Sequence, residues 1–215
     1  MTAAPVRLSA LLLGLALTAG LLAAGAPGPA TASEPGPRAR LDRALRGTRD
    51  ARATFRQTRT DALGSSTLTG RLEYRRPRQV RLEWAGKAAA TAIVNGDTVW
   101  FYQPSQKSVL KSSASAGGAP PAVFLEESVA LLEHAYVVRE QGRLGLVLTP
   151  RSAHSPWSAI AFLLDPATGW PRRMTLTARD GTTTRLDFDR FVVNRGAAAA
   201  RFAPRFPPGV ETVDL

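Results

Sequence analysis

Residue types that commonly catalyse reactions or bind metals are sparse in this 215-residue sequence. Its two histidines, His134 and His154, lack partners at metal-ligand spacing, and it contains no cysteine. Asp187 and Asp189 alternate with apolar residues, so both carboxylates are expected to face solvent from a strand rather than meet in a cleft. There is no nucleophile elbow and no glycine-rich phosphate loop. We therefore predict no enzyme activity, metal or cofactor.

One arginine, Arg76, occupies an unusual position in the stretch RLEYRRPRQVRLEW, residues 71–84. Alternating apolar residues would share one face of an extended chain here: Leu72, Tyr74, Val80, Leu82 and Trp84. Arg76 has the same parity, and the proline after it favours extended backbone. On the residues alone, Arg76 is interpreted as a solvated turn residue beside Arg75 and Arg78.

Strand patterns dominate the elements that would position these residues. Alternating segments separated by Gly, Asn and Asp turns predict at least ten strands, most joined by short connections. A helix is predicted over residues 40–55, and a second over AVFLEESVALLEH, residues 122–134. The pattern indicates a mainly β fold with helices: an unclosed antiparallel barrel or half-barrel of about ten or eleven strands, partly covered by the helices.

The N-terminus predicts export. Arg7 precedes an apolar run over residues 8–26, and Ala30 and Ala32 offer small residues at cleavage spacing. We expect a signal peptide over residues 1–32, cleaved near Ala32 and Ser33, followed by one domain over 33–215; a membrane anchor is the alternative. The absence of cysteine also excludes acylation of the chain itself as a bacterial lipoprotein.

Charge gives little direct information about binding partners. The chain has 28 Lys and Arg against 17 Asp and Glu, a formal charge of +11. The arginines are scattered over the whole sequence, whereas a nucleic-acid surface would concentrate them in one patch. We therefore expect no nucleic-acid partner, while attraction to anionic lipid head groups stays open.

The apolar strand faces have two interpretations. They either pack as an ordinary β core or line a partly vacant interior for an apolar ligand, and composition does not separate the two. The faces concerned include Val99 with Phe101 (or Trp100 with Tyr102), and Ile160 with Phe162.

Four segments resemble the family of the outer-membrane lipoprotein carrier protein LolA. They are ATFRQTRT, RRPRQVRLEW, IVNGDTVWFYQP and FAPRFPPGVETVDL, and their order and spacing are similar to those of the family. The resemblance implies an unclosed barrel with a helical lid over an apolar cavity. It also implies a monomeric periplasmic carrier that takes acylated lipoproteins from an inner-membrane ABC-type release complex to an outer-membrane receptor.

The resemblance also implies roles for individual residues. Arg76 corresponds to an arginine at the barrel mouth that hydrogen-bonds to the lid and acts as a latch. The implied cavity wall consists of Leu72, Tyr74, Val80, Leu82, Trp84, Val99, Phe101, Ile160 and Phe162. The implied lid residues are Phe124, Leu125, Val129 and Leu132. Val80 and Leu82 replace aromatic residues common in the family, so the wall is expected to be more aliphatic.

Two other functions remain open on the sequence. A general periplasmic lipid or glycolipid binder would need the same cavity. An envelope-stress sensor of mislocalised lipoproteins would share the half-barrel, but such proteins generally carry a second domain, for which this chain is too short.

Overall fold

The strands of this chain assemble into one sheet in the computed structural model, which describes residues 34–114 and 128–215. The predicted signal peptide lies outside the described residues, and so do the predicted lid residues Phe124 and Leu125. Residues 34–215 group as one compact unit.

Two α-helices and thirteen strands make up the described fold. Helix α1 spans Pro37–Gly47 and helix α2 spans Val129–Ala135. The strands are β1 Asp50–Asp61, β2 Gly64–Arg75, β3 Gln79–Trp84, β4 Ala90–Asn95, β5 Thr98–Gln103, β6 Ser108–Ser113, β7 Tyr136–Gln141, β8 Gly145–Pro150, β9 Trp157–Leu164, β10 Pro171–Ala178, β11 Thr183–Phe188, β12 Val192–Val193 and β13 Glu211–Asp214.

The sheet is built from two meanders that meet at β1. Its strand order is β13-β6-β5-β4-β3-β2-β1-β11-β10-β9-β8-β7, with β12 also paired to β1. The path of described strands does not close, because β13 and β7 end it on opposite sides. The chain leaves β6 near one end and re-enters at β7 on the other, and α2 lies on that connection. The open, mainly antiparallel sheet agrees with the predicted half-barrel.

The sheet contains more strands than predicted, and its last strand is parallel. Tail residues form β13, which runs parallel to β6 with Thr212 beside Val109. The tail and β6 are about a hundred positions apart in the sequence, so a local sequence pattern gives no information on this pairing. The short β12 is the other strand that the prediction did not separate.

Helix α1 is shorter than predicted. It ends at Gly47, and Thr48 adopts extended backbone with φ −109° and ψ 122°. The Thr48 hydroxyl donates to the Ala44 carbonyl at 2.7 Å, and the Thr48 N–H donates to the Leu45 carbonyl at 3.4 Å. These two carbonyls would accept N–H groups of the next turn if the helix continued, so the bonds from Thr48 allow it to end here. The prediction of helix as far as Phe55 was wrong, because residues 50–55 already alternate as a strand against β2.

Apolar side chains from both helices and the inner face of the sheet form one core. Leu41 and Leu45 of α1 and Leu132 of α2 are at most 2% exposed and belong to the same cluster as the inward residues of the strands. Burial of this face accounts for the position of the helices, since helices this short are marginal in isolation.

Candidate functional site

Cross-strand pairs bring most of the predicted wall residues together on the inner face. Tyr74 pairs with Val80, and Leu72 pairs with Leu82. On the next strands of the sheet, Ala92 of β4 pairs with Leu82 of β3 on one side and with Phe101 of β5 on the other. The inner face of the first meander is therefore a continuous apolar surface.

The second meander supplies the remaining predicted wall residues. Ile160 pairs with Leu176, and Phe162 pairs with both Met174 and Leu146. Ile160 is fully buried and Phe162 is 3% exposed. Both residues belong to the same core cluster as the first meander, although about eighty positions separate the two groups in the sequence.

Side chains of the helices occupy the space over this apolar surface. Leu72, Ile160 and Leu132 are at most 1% exposed, and α1 and α2 contribute to the cluster that covers the sheet residues. Over the part of the chain that the structure describes, side chains of both helices pack against the inner face of the sheet and close these residues off from solvent.

One end of the apolar face is less well covered. Trp84 and Phe101 are only partly buried and pack edge to face, with ring centroids 6.1 Å apart. The Trp84 ring also packs against that of Phe55, with centroids 6.1 Å apart, and its indole N–H donates to the side-chain oxygen of Gln57 at 2.9 Å. Gly70 pairs with Phe55 on one neighbouring strand and with Trp84 on the other. A Cβ at this position would lie 2.4 Å from the Phe55 ring. The glycine therefore makes this aromatic cluster possible.

Arg76 connects the sheet to the end of α1. It follows directly after β2, and its guanidinium donates a hydrogen bond to the main-chain carbonyl of Leu45. Its backbone N–H also bonds to the Arg49 carbonyl at 2.8 Å. Leu45 lies in the last turn of α1, where carbonyls lack intrahelical donors and the helix dipole favours a cation. Arg76 therefore bonds a helix over the sheet, but that helix is α1, outside the segment expected to form the lid.

A buried tryptophan supports the same helix end. Trp170 is 2% exposed and donates its indole N–H to the Thr48 hydroxyl at 3.2 Å. Its ring lies 6.1 Å from that of Tyr74 and stacks on Phe191 at 4.8 Å. The C-terminal end of α1 is thus held by one charged donor from the sheet rim and one neutral donor from the core.

The N-terminal end of α1 is capped from another strand. Gly36 precedes the helix and provides no side-chain cap, but the carboxylate of Glu140 in β7 accepts the Arg38 N–H at 2.9 Å. A carboxylate at a helix N-terminus interacts favourably with the helix dipole. Helix α1 is therefore anchored at both ends, by a strand residue at its N-terminus and by residues next to strands at its C-terminus.

Asp42 links the two helices. Its carboxylate accepts the Val129 N–H, the first of α2, at 2.9 Å and the Arg46 guanidinium at 2.7 Å. Burial raises the pKa of Asp42, but the bond from Val129 and the charge of Arg46 outweigh it, so its pKa lies below the ordinary 3.8. A salt bridge from Arg38 to Glu133, at 2.6 Å, joins the helices a second time. Because of these bonds, α1 and α2 form one connected lid.

Sequence reasoning did not identify the lid contacts Leu45, Asp42, Glu140 and Trp170. Leu45 acts through its main-chain carbonyl, which leaves no signal in a side-chain pattern. Asp42 gave a weak signal, because it is the single acidic residue among the arginines of α1. Its partner Val129 became apparent only when the fold placed the two helices side by side.

The described residues contain no group of three or more His, Asp or Glu side chains placed to hold a metal ion. Within these same residues, no helix has both the length and the apolar character that a membrane span requires.

Comparison with known proteins gives a consistent family relationship. The family model described as outer membrane lipoprotein carrier protein LolA matches residues 46–205. A protein of Chromobacterium violaceum named outer-membrane lipoprotein carrier protein is 32% identical over 206 residues, covering 92% of this chain and 95% of its own length. This chain belongs to the LolA family.

Further relatives extend the LolA relationship. A protein of the same name from Xanthomonas axonopodis pv. citri is 31% identical, covering 83% of this chain and 88% of its own length. Among solved structures, an uncharacterized conserved protein of Thermus thermophilus superposes with a TM-score of 0.51 at 15% identity, covering 82% of this chain and 96% of its own. That similarity supports the fold. The LolA match includes Arg76, Trp170 and α2, and begins one residue after Leu45.

Proposed function

We propose that this protein carries acylated lipoproteins across the periplasm, shielding their acyl chains from water between the inner and outer membranes. The main support is family membership over residues 46–205 combined with a bonded helical lid over a continuous apolar sheet face. In this role it is a monomeric binding protein without enzyme activity or cofactor. It receives cargo from an inner-membrane ABC-type release complex and delivers it to an outer-membrane lipoprotein receptor.

Export is part of the proposal. Residues 1–32 serve as the signal peptide, with cleavage near Ala32 and Ser33, and the domain follows. N-terminal sequencing of protein purified from the periplasm tests the cleavage position.

The acyl-binding wall is formed by the inward residues of both meanders once the lid moves. We assign to it Leu72, Tyr74, Val80, Leu82, Trp84, Val99, Phe101, Ile160 and Phe162. Val129 and Leu132 of α2 cover the wall in the closed state. We also assign a lid role to Phe124 and Leu125, which lie outside the described residues. The partly covered end at Trp84 and Phe101 is the natural entry point, because the acyl chain gains contacts there before any helix moves.

The energies of opening and binding are of similar size. Hiding a chain of about sixteen carbons from water is worth on the order of 12 kcal/mol. Uncovering the core side chains Leu41, Leu45, Val129 and Leu132 costs roughly 2 kcal/mol each, or about 8 kcal/mol together. Ligand binding thus replaces one buried apolar surface with another, and the net affinity stays low enough for release to a receptor.

Arg76 acts as the latch in this exchange. Its bond to the Leu45 carbonyl is made in the closed state and must break when α1 moves away from the rim. Losing it costs part of the binding energy, which favours return of the lid and ejection of the acyl chain. The latch therefore makes delivery easier rather than loading.

A release assay tests the proposal. Spheroplasts are incubated with the mature protein, and newly made lipoproteins are followed in the soluble fraction. The carrier function predicts that acylated lipoproteins appear there only when the protein is added. Release of free lipid without lipoprotein would instead favour a general lipid or glycolipid binder, and release of neither would reject the proposal.

A further inference from the structure

The outer face of β1 and β2 carries a long groove formed by three adjoining cavities. Their volumes are about 800, 380 and 220 Å³. The first two share Thr54, Arg71 and Asp189, and the last two share Arg52 and Glu73. The cavities therefore follow one another along β1. We call this the outer groove.

The outer groove lies on the opposite face of the sheet from the lid. Along β1, Ala51, Ala53 and Phe55 are buried in the core, whereas Arg52 and Arg56 alternate with them and are exposed. The same strand thus presents an apolar surface inward and a charged surface outward. A ligand in the outer groove would leave the lid contacts intact.

Carboxylates lining the groove are already engaged by other side chains. Asp187 forms salt bridges with Arg173 and Arg185, at 2.6 and 2.8 Å. Glu83 forms one with Arg81 at 2.7 Å, and Glu73 forms one with Arg201 at 3.0 Å. Asp189 accepts a hydrogen bond from the Thr54 hydroxyl. Hydrogen bonding to Glu73 raises the pKa of Arg201 further. The negative charge in the groove is therefore largely neutralised from its walls.

The floor of the groove, by contrast, presents cations available to a ligand. Arg52, Arg56 and Arg71 are all exposed, and none of them forms a salt bridge with any described acidic residue. Guanidinium groups of this kind can bind carboxylates with two parallel N–H donors. The outer groove is therefore set up for anionic groups.

Strand geometry fixes the spacing of these three cations. Arg52 and Arg56 are four residues apart on β1, which places them about 13 Å apart along the strand. Arg71 of β2 pairs with Thr54, so it lies beside the midpoint between them. An extended polypeptide with an acidic residue at every second position would place successive carboxylates on one side, about 7 Å apart, matching this arrangement.

We propose that the outer groove binds an extended acidic segment of a polypeptide, with alternate carboxylates bound by Arg52, Arg71 and Arg56. The groove follows the line of one strand, so a single extended chain can enter it along its length, whereas a planar lipid layer would touch only its edges. Val192, 39% exposed in the middle cavity, adds an apolar contact for a side chain of the same segment. This inference does not depend on the proposed carrier function.

Fluorescence anisotropy with a defined peptide tests the inference. The probe is a labelled peptide of about eight residues that alternates Glu with Ser, and the matched control alternates Gln with Ser. We expect the Glu peptide to bind saturably, and to weaken at least severalfold when ionic strength rises from about 20 to 200 mM. Equal binding of the Gln peptide would overturn the inference.

Paired variants locate the binding. Arg56→Gln with Arg71→Gln is expected to weaken the Glu peptide about tenfold. The control carries Arg43→Gln with Arg139→Gln, two exposed arginines outside the groove, and should change affinity less than about twofold for the same loss of charge. Equal weakening by both pairs would reduce the effect to net charge and reject the site.

A charge exchange guards against a folding artefact. Arg56→Glu with Arg71→Glu should bind a Lys-Ser peptide more tightly than the unaltered protein does, an outcome that a misfolded variant would not give. The competing occupant is tested with vesicles of phosphatidylglycerol and phosphatidylcholine. If vesicle binding, and not peptide binding, depends on Arg56 and Arg71, the groove recognises lipid head groups and the inference is wrong.

Discussion

The guanidinium of Arg76, at the end of β2, donates a hydrogen bond to the main-chain carbonyl of Leu45 in the last turn of α1. A residue just beyond β2 thus helps to hold the C-terminal end of a helix that covers the apolar face. The opposite end of α1 is held by Glu140, and Asp42 joins its middle to α2. These three polar contacts can be removed separately, which makes the lid open to mutational tests.

Removing the latch should impair delivery more than loading. Arg76→Leu eliminates the donor to Leu45, so ligand binding no longer breaks that bond, and the acyl chain is held more tightly. We expect the Arg76→Leu variant to accept lipoproteins from spheroplasts but to transfer them poorly to the outer-membrane lipoprotein receptor. Arg139→Leu, an exposed arginine on β7, is the control and should transfer normally. Normal transfer by Arg76→Leu would defeat the latch proposal.

Removing the link between the helices should loosen α2. Asp42→Ala eliminates the acceptor for the Val129 N–H, a capping contact of a type worth about 0.5–2 kcal/mol. Asp42→Asn keeps an acceptor oxygen and should lose less. Hydrogen exchange at the Val129 amide reports the effect directly, and urea unfolding gives the stability change. Unaltered exchange in Asp42→Ala would show that the contact does not hold α2.

Acid should destabilise the fold through two carboxylates, that of Asp42 between the helices and that of Asp165 in the turn before β10. Burial raises the pKa of Asp165, but bonds from the Thr168 N–H and hydroxyl and from the Ala167 N–H outweigh it, so its pKa, like that of Asp42, lies below 3.8. The two ionised carboxylates therefore stabilise the fold in full at pH values well above 3.8, the ordinary pKa. This stabilisation is lost as the pH falls through 3.8 towards the lower pKa of the folded state.

Urea unfolding as a function of pH measures this effect. We expect the free energy of unfolding contributed by these two groups to be constant from about pH 7 to 5 and to fall below about pH 4. A variant with Asp42→Asn and Asp165→Asn should be less stable at neutral pH and show a shallower acid slope. An unchanged slope would assign the acid sensitivity to other carboxylates.

Weakening the lid should strengthen acyl binding, whereas weakening the core of the sheet elsewhere should not. Leu132→Ala on α2 and Leu164→Ala on β9 both remove a fully packed leucine, at a cost of about 2–5 kcal/mol. Only the first lowers the cost of moving the lid. Titration with a fluorescent palmitate analogue should therefore give tighter binding for Leu132→Ala and no gain for Leu164→Ala. Equal changes in both variants would contradict a mobile lid.

Local sequence patterns determined most of the strands and their inward faces. The alternation around Leu72 and Leu82, and the turn at Asn95 and Gly96, are short-range signals, because side chains alternate at each residue and tight turns require particular backbone angles. The family relationship was also visible in four short segments. The limit of α1 was not, since Ala51 and Phe55 fit helical spacing as well as they fit strand alternation.

Only the tertiary structure decided how the lid is held and where charges gather. The contacts of Arg76 with Leu45, Asp42 with Val129, and β13 with β6 join positions far apart in the chain. Each depends on a main-chain carbonyl or N–H, groups that nearly all residue types share, so composition does not predict it. Arg56 and Arg71 likewise meet because β1 pairs with β2, and their lack of a carboxylate partner among the described residues follows from where the neighbouring acids bond.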